Sequence, residues 1–285
     1  MSRDLLRLPV RYFQIPRNYG PGMKEQDGIE EGHQERVLEK QPGQCGLVLV
    51  HCWNLGESDG PYPIPDAQEP TGTNSDWVIH ARDITSKRIA PVLDAARSVQ
   101  MPVFHLAAPG YAHKYSQYLK LLEDDELKAP EGGYDDKLSV RPRSVEEEWA
   151  LRFGPGWPGA VWETHPDSFN ISKSVRPRVD ENVVLDGWQL SGLCRRMDVD
   201  TLIFAGFMAN ICLLHVPGAM IEMAHKFRYN CVALRDCTVA HEVGTTWDDG
   251  TLTKAALHYI EISLGGSMVS GSFLEACAQL TADGR

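Results

Sequence analysis

Short apolar runs recur along the chain, and each is followed by a stretch with helical spacing of apolar residues. This alternation is the feature that most constrains the fold. The strand-like runs are GLVLVHC (46–52), PVFHLAA (102–108), NVVLD (182–186), DTLIFAGF (200–207), NCVALRD (230–236) and MVSG (268–271). Helical stretches are expected near 80–99, near 188–197, from about 210, over 251–262 and over about 272–281. Apolar strands separated by amphipathic helices build a mostly parallel sheet with helices on both faces, a three-layer α-β-α domain of the α/β class. In such sheets ligands bind beyond the carboxyl ends of the strands. His51, Asp186 and the segment after Phe207 all fall at such ends.

The remaining segments frame this domain, expected over 45–285. Residues 1–44 read as an N-terminal extension rich in Pro, Gly and charge, with one strand at LPVRYFQI, packed outside the domain or against a neighbour. The Pro- and Gly-rich loop 53–79 is expected to lie over the strand ends. Segment 109–181 is too long for a simple crossover. It carries Tyr111, Tyr115, Tyr118, Tyr134, Trp149, Trp157 and Trp162, the composition of a lid or dimer-contact insertion. The net charge of -11, with no basic cluster, argues against nucleic acid or an anionic membrane as partner. No apolar run approaches the roughly 18 residues of a membrane span, and the N-terminus lacks a signal-peptide core. Seven cysteines without CxxC spacing fit neither a disulfide framework nor a structural zinc site, and a reducing cytoplasm is expected. No GxGxxG or Walker spelling supports a nucleotide cofactor.

The richest stretch is DTLIFAGFMANICLLHVPGAM (200–220). A buried strand ends at Gly206, a short turn follows, and Cys212 falls in the first turn of the next helix. Unpaired helix-start amides favour a thiolate and can hold an oxyanion at a carbonyl under attack. A cysteine near a helix start can equally be an inert packing thiol. His105 ends the second strand and either lines a pocket or plays a structural part. His215 and His225 fit surface or packing roles. No carboxylate–histidine cluster of metal-ligand spacing occurs in 53–79, and His51 with Asp186 would make at most a weak site.

Strand, Gly-Phe-Met-Ala-Asn-Ile-Cys, helix, then a strand ending in Asp236 resembles the nucleophile segment of the isochorismatase-like cysteine hydrolases. That pattern is roughly G-x-x-T-N-x-C-V, matched here by Gly206, Asn210 and Cys212. LVLVHCWN resembles the family's opening strand, and the similarity spans about residues 44–282. The resemblance implies a cofactor-free hydrolase of a small molecule, a homo-oligomer, and a non-proline cis peptide before the nucleophile, here at Met208–Ala209. Members include nicotinamidases, carbamoylsarcosine and ureidoacrylate amidohydrolases, and isochorismatases. The family's triad is Cys, an Asp at the end of the first strand, and a Lys after the strand preceding the nucleophile strand. In this chain those Asp and Lys positions hold His51 and Asp186, and the Thr of the turn is Ala209. Lys173 supplies a lysine only under a different alignment.

Cys212, His51 and Asp186 nevertheless have the chemistry of a thiol–imidazole–carboxylate triad on three strand ends taken as neighbours. A His51 titrating near 6.5 would accept the thiol proton, Asp186 would orient the ring, and amides from Ala209 to Cys212 would hold the oxyanion. Trp53, Asn54, His105, Met208, Ala209 and Asn210 are the expected substrate contacts. Two function classes follow: an amide- or ureide-cleaving hydrolase, or a non-catalytic relative that binds or assembles. A vinyl-ether hydrolase is a third option.

Overall fold

The computed structural model describes residues 5–15, 31–65, 75–130, 151, 154 and 159–283. Its strands are β1 (Leu6–Gln14), β2 (Gly32–Lys40), β3 (Cys45–Val50), β4 (Val103–Leu106), β5 (Asn182–Val184), β6 (Thr201–Gly206), β7 (Asn230–Leu234) and β8 (Gly265–Met268). They form one sheet in the order β2-β1-β8-β7-β6-β3-β4-β5. From β8 to β5 every pairing is parallel. Only β1 runs antiparallel, to β2 along its length and to β8 at Arg11–Ser267.

Every residue of β3 and β6 is buried, as expected of strands covered on both faces. Their side chains alternate between two cores. Leu47, Leu49, Ile203 and Ala205 enter one core with Ile84, Leu93 and Phe273. Val48, Val50, Leu202 and Phe204 enter the other with Leu190, Leu213 and Met220. The first layer holds α1 (Ser75–Ile84), α2 (Ala90–Ser98), which continues α1 through one wide turn, and the last helix, Ser270–Asp283. The helix Gly187–Arg196 lies in the opposite layer.

Four expectations shift. The N-terminal strand is a core element and not an outer layer: Leu6, Leu8 and Val10 are fully buried, because their alternation gives β1 a continuous apolar face. A second strand, β2, was not expected at all. The last strand, expected at MVSG (268–271), is Gly265–Met268 and ends on the first residue of that run. The helix expected from about 210 starts at Cys212, and it breaks after one turn, Cys212–His215, at the interruption that Pro217 and Gly218 imply, where Val216 turns extended. Within the 109–181 insertion, Tyr111 is wholly buried, whereas Tyr134, Trp149 and Trp157 lie outside the described residues. Among the described residues no helix is long and apolar enough to cross a membrane.

Candidate active site

Backbone bonds fix the order of the strand ends. Phe207 N–H donates to the Val50 carbonyl at 2.9 Å, His51 N–H to Leu106 at 3.2 Å, and Ala107 N–H to Val184 at 2.9 Å. The termini of β6, β3, β4 and β5 therefore stand side by side in that order. Asp186 follows the edge strand β5 and is separated from β3 by β4, roughly 10 Å at the normal strand spacing. The three candidate strand ends are thus not mutual neighbours. A short carboxylate reaches across an intervening strand far less readily than a long lysine side chain would.

His51 leaves the strand in a left-handed conformation, φ 48°. That turn lays its ring on Trp53, with centroids 4.8 Å apart. Burial pushes its pKa down to about 4, only partly opposed by a hydrogen bond to the Ala107 backbone. The ring is therefore neutral at pH 7, and the expectation of titration near 6.5 is corrected. Its Nδ1 is buried without a hydrogen-bond partner among the described residues. In the unfolded chain the ring still protonates near 6.5, so stability present above that pH is lost as pH falls toward 4. The gap corresponds to about 3 kcal/mol. Urea unfolding at pH 7 and pH 4 checks this. His51→Asn, which tolerates the left-handed backbone, should lose about 3 kcal/mol less than the parent between those pH values, and an equal loss would remove His51 as the cause.

Asp186 has another task. Its Oδ1 accepts the Gln189 N–H at 2.8 Å and caps the helix Gly187–Arg196, while Gln189 Oε1 accepts the Leu185 N–H at 2.8 Å. Burial raises its pKa, and the backbone donors oppose that. The structure does not join it to His51. His105 is likewise structural. Its Nε2 donates to Glu181 at 2.9 Å, and Arg97 grips the same carboxylate with Nε at 2.6 Å and Nη2 at 3.0 Å. Burial alone would raise the Glu181 pKa, but the donors from His105, Arg97 and the Arg178 N–H hold it at about 2. Asn54, fully buried, donates to Ser168 O and accepts from the Asn170 N–H, stitching the 53–65 loop to the insertion. Asn210 accepts the His241 N–H at 3.0 Å. These hydrogen bonds give His105, Asn54 and Asn210 a part in bracing the site.

Cys212 is placed by a tight turn. Gly206 ends β6 at φ 117°, and a Cβ there would lie 2.0 Å from the Val50 carbonyl oxygen. A non-proline cis peptide follows at Phe207–Met208, one bond earlier than expected. Ile211 and Leu213 N–H groups both donate to Met208 O, at 3.0 and 3.1 Å, folding the turn onto partly buried Met208. Fully buried Ala209 donates its N–H to Val239 O at 3.0 Å. Two amides expected to hold an oxyanion, those of Ala209 and Ile211, thus already have partners. Cys212 opens the single helical turn and is 8% exposed, against 3% or less for the other six thiols. Burial pushes Cys45, Cys194, Cys237 and Cys277 up to about 12, and raises Cys52 and Cys231 further.

One neighbour of His51 escaped sequence reasoning. Trp77, from α1, lines a cavity of ≈ 10 Å³ with His51, Trp53 and Phe207, and its Nε1 is also without a partner among the described residues. That volume admits about one water molecule. An aromatic on an amphipathic helix carries no spelling that marks it as a site residue. Among the described residues no three His, Cys, Asp or Glu converge as metal ligands.

No family model matches the chain, and no curated protein does. Solved structures are similar in fold. A cysteine hydrolase from Pseudomonas syringae pv. phaseolicola is 16% identical over 85% of this chain and 95% of its own, with a TM-score of 0.48. An isochorismatase family protein from Desulfovibrio vulgaris is 17% identical over 82% and 98%, with a TM-score of 0.46. The N-carbamoylsarcosine amidase from Thermoplasma acidophilum is 14% identical over 80% and 96%, with a TM-score of 0.39. At such identities and scores only this chain's own residues carry its chemistry.

Proposed function

We propose that the protein is a cysteine hydrolase that cleaves a C–N bond in a small amide or ureide, with Cys212 as nucleophile and His51 as proton acceptor. One observation carries this reading. The most exposed of the seven cysteines opens the turn after β6, and the adjoining strand end presents a buried, neutral imidazole whose Nδ1 has no partner among the described residues. Such a nitrogen can accept a proton.

In this mechanism the Cys212 sulfur bonds to the carbonyl carbon while its proton passes to His51 Nδ1. Collapse of the tetrahedral adduct breaks the C–N bond, and His51 returns that proton to the departing nitrogen. Water then adds to the thioester, giving a proton to His51. The C–S bond breaks, the acid leaves, and the sulfur regains the proton. A ring with its pKa pushed to about 4 does not sustain a resting thiolate–imidazolium pair, so the proton moves as attack proceeds. Asp186 contributes by fixing the start of the helix after β5, not by orienting the ring.

A second reading, a binding or assembly subunit, draws on the same cap and on the amides already bonded within the turn. A panel of small primary amides and ureides, followed by ammonia release, separates the two. Turnover of at least one compound that disappears in Cys212→Ser supports the hydrolase. Equal background release by parent and variant across the panel supports the second reading.

A further inference from the structure

The 109–181 insertion returns to the sheet at residues 168–172, against the segment that follows His51. Ile171 forms an antiparallel bridge with Trp53, and the Ser172 N–H donates to the Cys52 carbonyl at 2.8 Å. The Asn54 N–H donates to the Asn170 carbonyl at 3.0 Å, beside the two bonds of the Asn54 side chain to the same segment. Each of the three residues after His51 is thus held by the insertion.

Phe169 turns this seam inward. It is wholly buried, and its ring meets Trp53 at 61°, with centroids 5.4 Å apart. Trp53 in turn lies face to face with the His51 imidazole at 4.8 Å. Tyr111, also from the insertion, packs on the Phe169 ring at 5.1 Å. The seam is anchored from outside as well. The three donors of the Lys114 ammonium go to the carbonyls of Pro166, Asp167 and Phe169, at 2.7, 3.0 and 3.0 Å. The Tyr115 hydroxyl donates to Asn170 Oδ1 at 2.5 Å. Among the described residues, Arg82 is the charged side chain lining the small cavity beside His51. Its Nη1 is tied to the Gly56 and Ile64 carbonyls at 3.1 and 2.8 Å, which fixes the rest of the same loop.

We infer that Phe169 is a positioning residue for His51, acting through Trp53. The inference rests on the hydrolase reading, in which the imidazole accepts the thiol proton. His51 stands on an irregular, left-handed backbone, so packing and not a strand register keeps its ring in one place. Proton transfer between two side chains demands hydrogen-bond reach, and a small misplacement is costly in rate. The insertion therefore supports the base of the site from behind, with Phe169 as the wedge and Lys114 as its outer anchor.

Nuclear magnetic resonance of the histidine-labelled full chain reads this without turnover, with the His51 signal assigned among the ten histidines by its loss in His51→Asn. In Phe169→Ala the His51 titration midpoint should rise from about 4 by about one pH unit or more, as the indole shifts and water reaches the ring. Alkylation of Cys212 by iodoacetamide at pH 7 should slow about threefold or more. Phe169→Leu and Lys114→Met should move the midpoint in the same direction by less, and Phe169→Leu decides the matter should Phe169→Ala fail to fold. Phe273→Ala is the control, since that wholly buried ring belongs to the last helix, which packs on α2 and β1. It should lose comparable stability and leave the His51 midpoint where it was. An unmoved His51 midpoint in the Phe169 variants, or an equal movement in Phe273→Ala, would reduce Phe169 to a structural residue and overturn the inference. A midpoint that moves while Cys212 alkylation keeps its rate would uphold the positioning of His51 and count against the proton-acceptor reading instead.

Discussion

Replacing Glu181 with Ala should destabilise the fold by about 3–5 kcal/mol, the usual cost of stripping one partner from a buried ion pair. The carboxylate is 8% exposed and receives Arg97, His105 and the Arg178 N–H together. Without it, Arg97 keeps Asp94 at 3.4 Å and the Arg176 carbonyl at 3.2 Å, and the His105 Nε2–H loses its acceptor inside the sheet. Glu181→Gln, which retains one acceptor oxygen, should lose less. The acid dependence has a defined sign. Because the folded carboxyl titrates near 2 instead of the ordinary 4.5, its contribution is whole above pH 4.5 and fades as pH falls toward 2. Chemical unfolding at neutral pH measures the loss. A change below about 1 kcal/mol would mean that Arg97 finds equal compensation elsewhere.

Gly206→Ala should cost about 4 kcal/mol, from two causes that act together. A left-handed backbone held by a residue with a Cβ accounts for about 1–3 kcal/mol. The 2.0 Å approach to the Val50 carbonyl adds an overlap costing about 1–3 kcal/mol. The struck atom is backbone in the adjoining strand, so relief comes only by spreading β6 from β3 just where Phe207 donates to Val50. Because the turn to Cys212 starts there, any remaining folded protein should also lose thiol reactivity. A variant as stable as the parent would show that the strands part without penalty.

How much of this was legible follows from what each residue touches. The inner strands were readable because burial on both faces demands unbroken apolar runs, as in GLVLV and TLIFAG. β2 was not, since GHQERVLEK sits at the sheet edge with mostly exposed side chains and leaves no apolar period. The break one turn after Cys212 was readable, because Pro217 and Gly218 stand there and the residue before a proline is pushed out of the helical region. The partner of His105 lies 76 residues away, which no local pattern reveals. Asp186 was open to two readings. At a strand end it resembled a catalytic carboxylate, while Asp-x-x-Gln is also a helix-start signal, and the latter is what the fold uses. The low basicity of His51 comes from burial as Trp53, Phe207 and Trp77 of α1 close around it, and only the assembled structure supplies that environment.

Peptide mapping after a short exposure to iodoacetamide at pH 7 tests the hydrolase reading most directly. Cys212 should be alkylated well ahead of Cys45, Cys52, Cys194, Cys231, Cys237 and Cys277. Accessibility alone would favour it, so the deciding comparison is among variants. His51→Asn should slow Cys212 alkylation by about tenfold, as expected when a proton acceptor is removed. Asp186→Asn, which preserves the helix cap, should leave the rate unchanged, and all seven thiols should react alike in urea. Alkylation spread evenly over the folded protein, or a Cys212 rate indifferent to His51, would contradict the proposed catalytic pair.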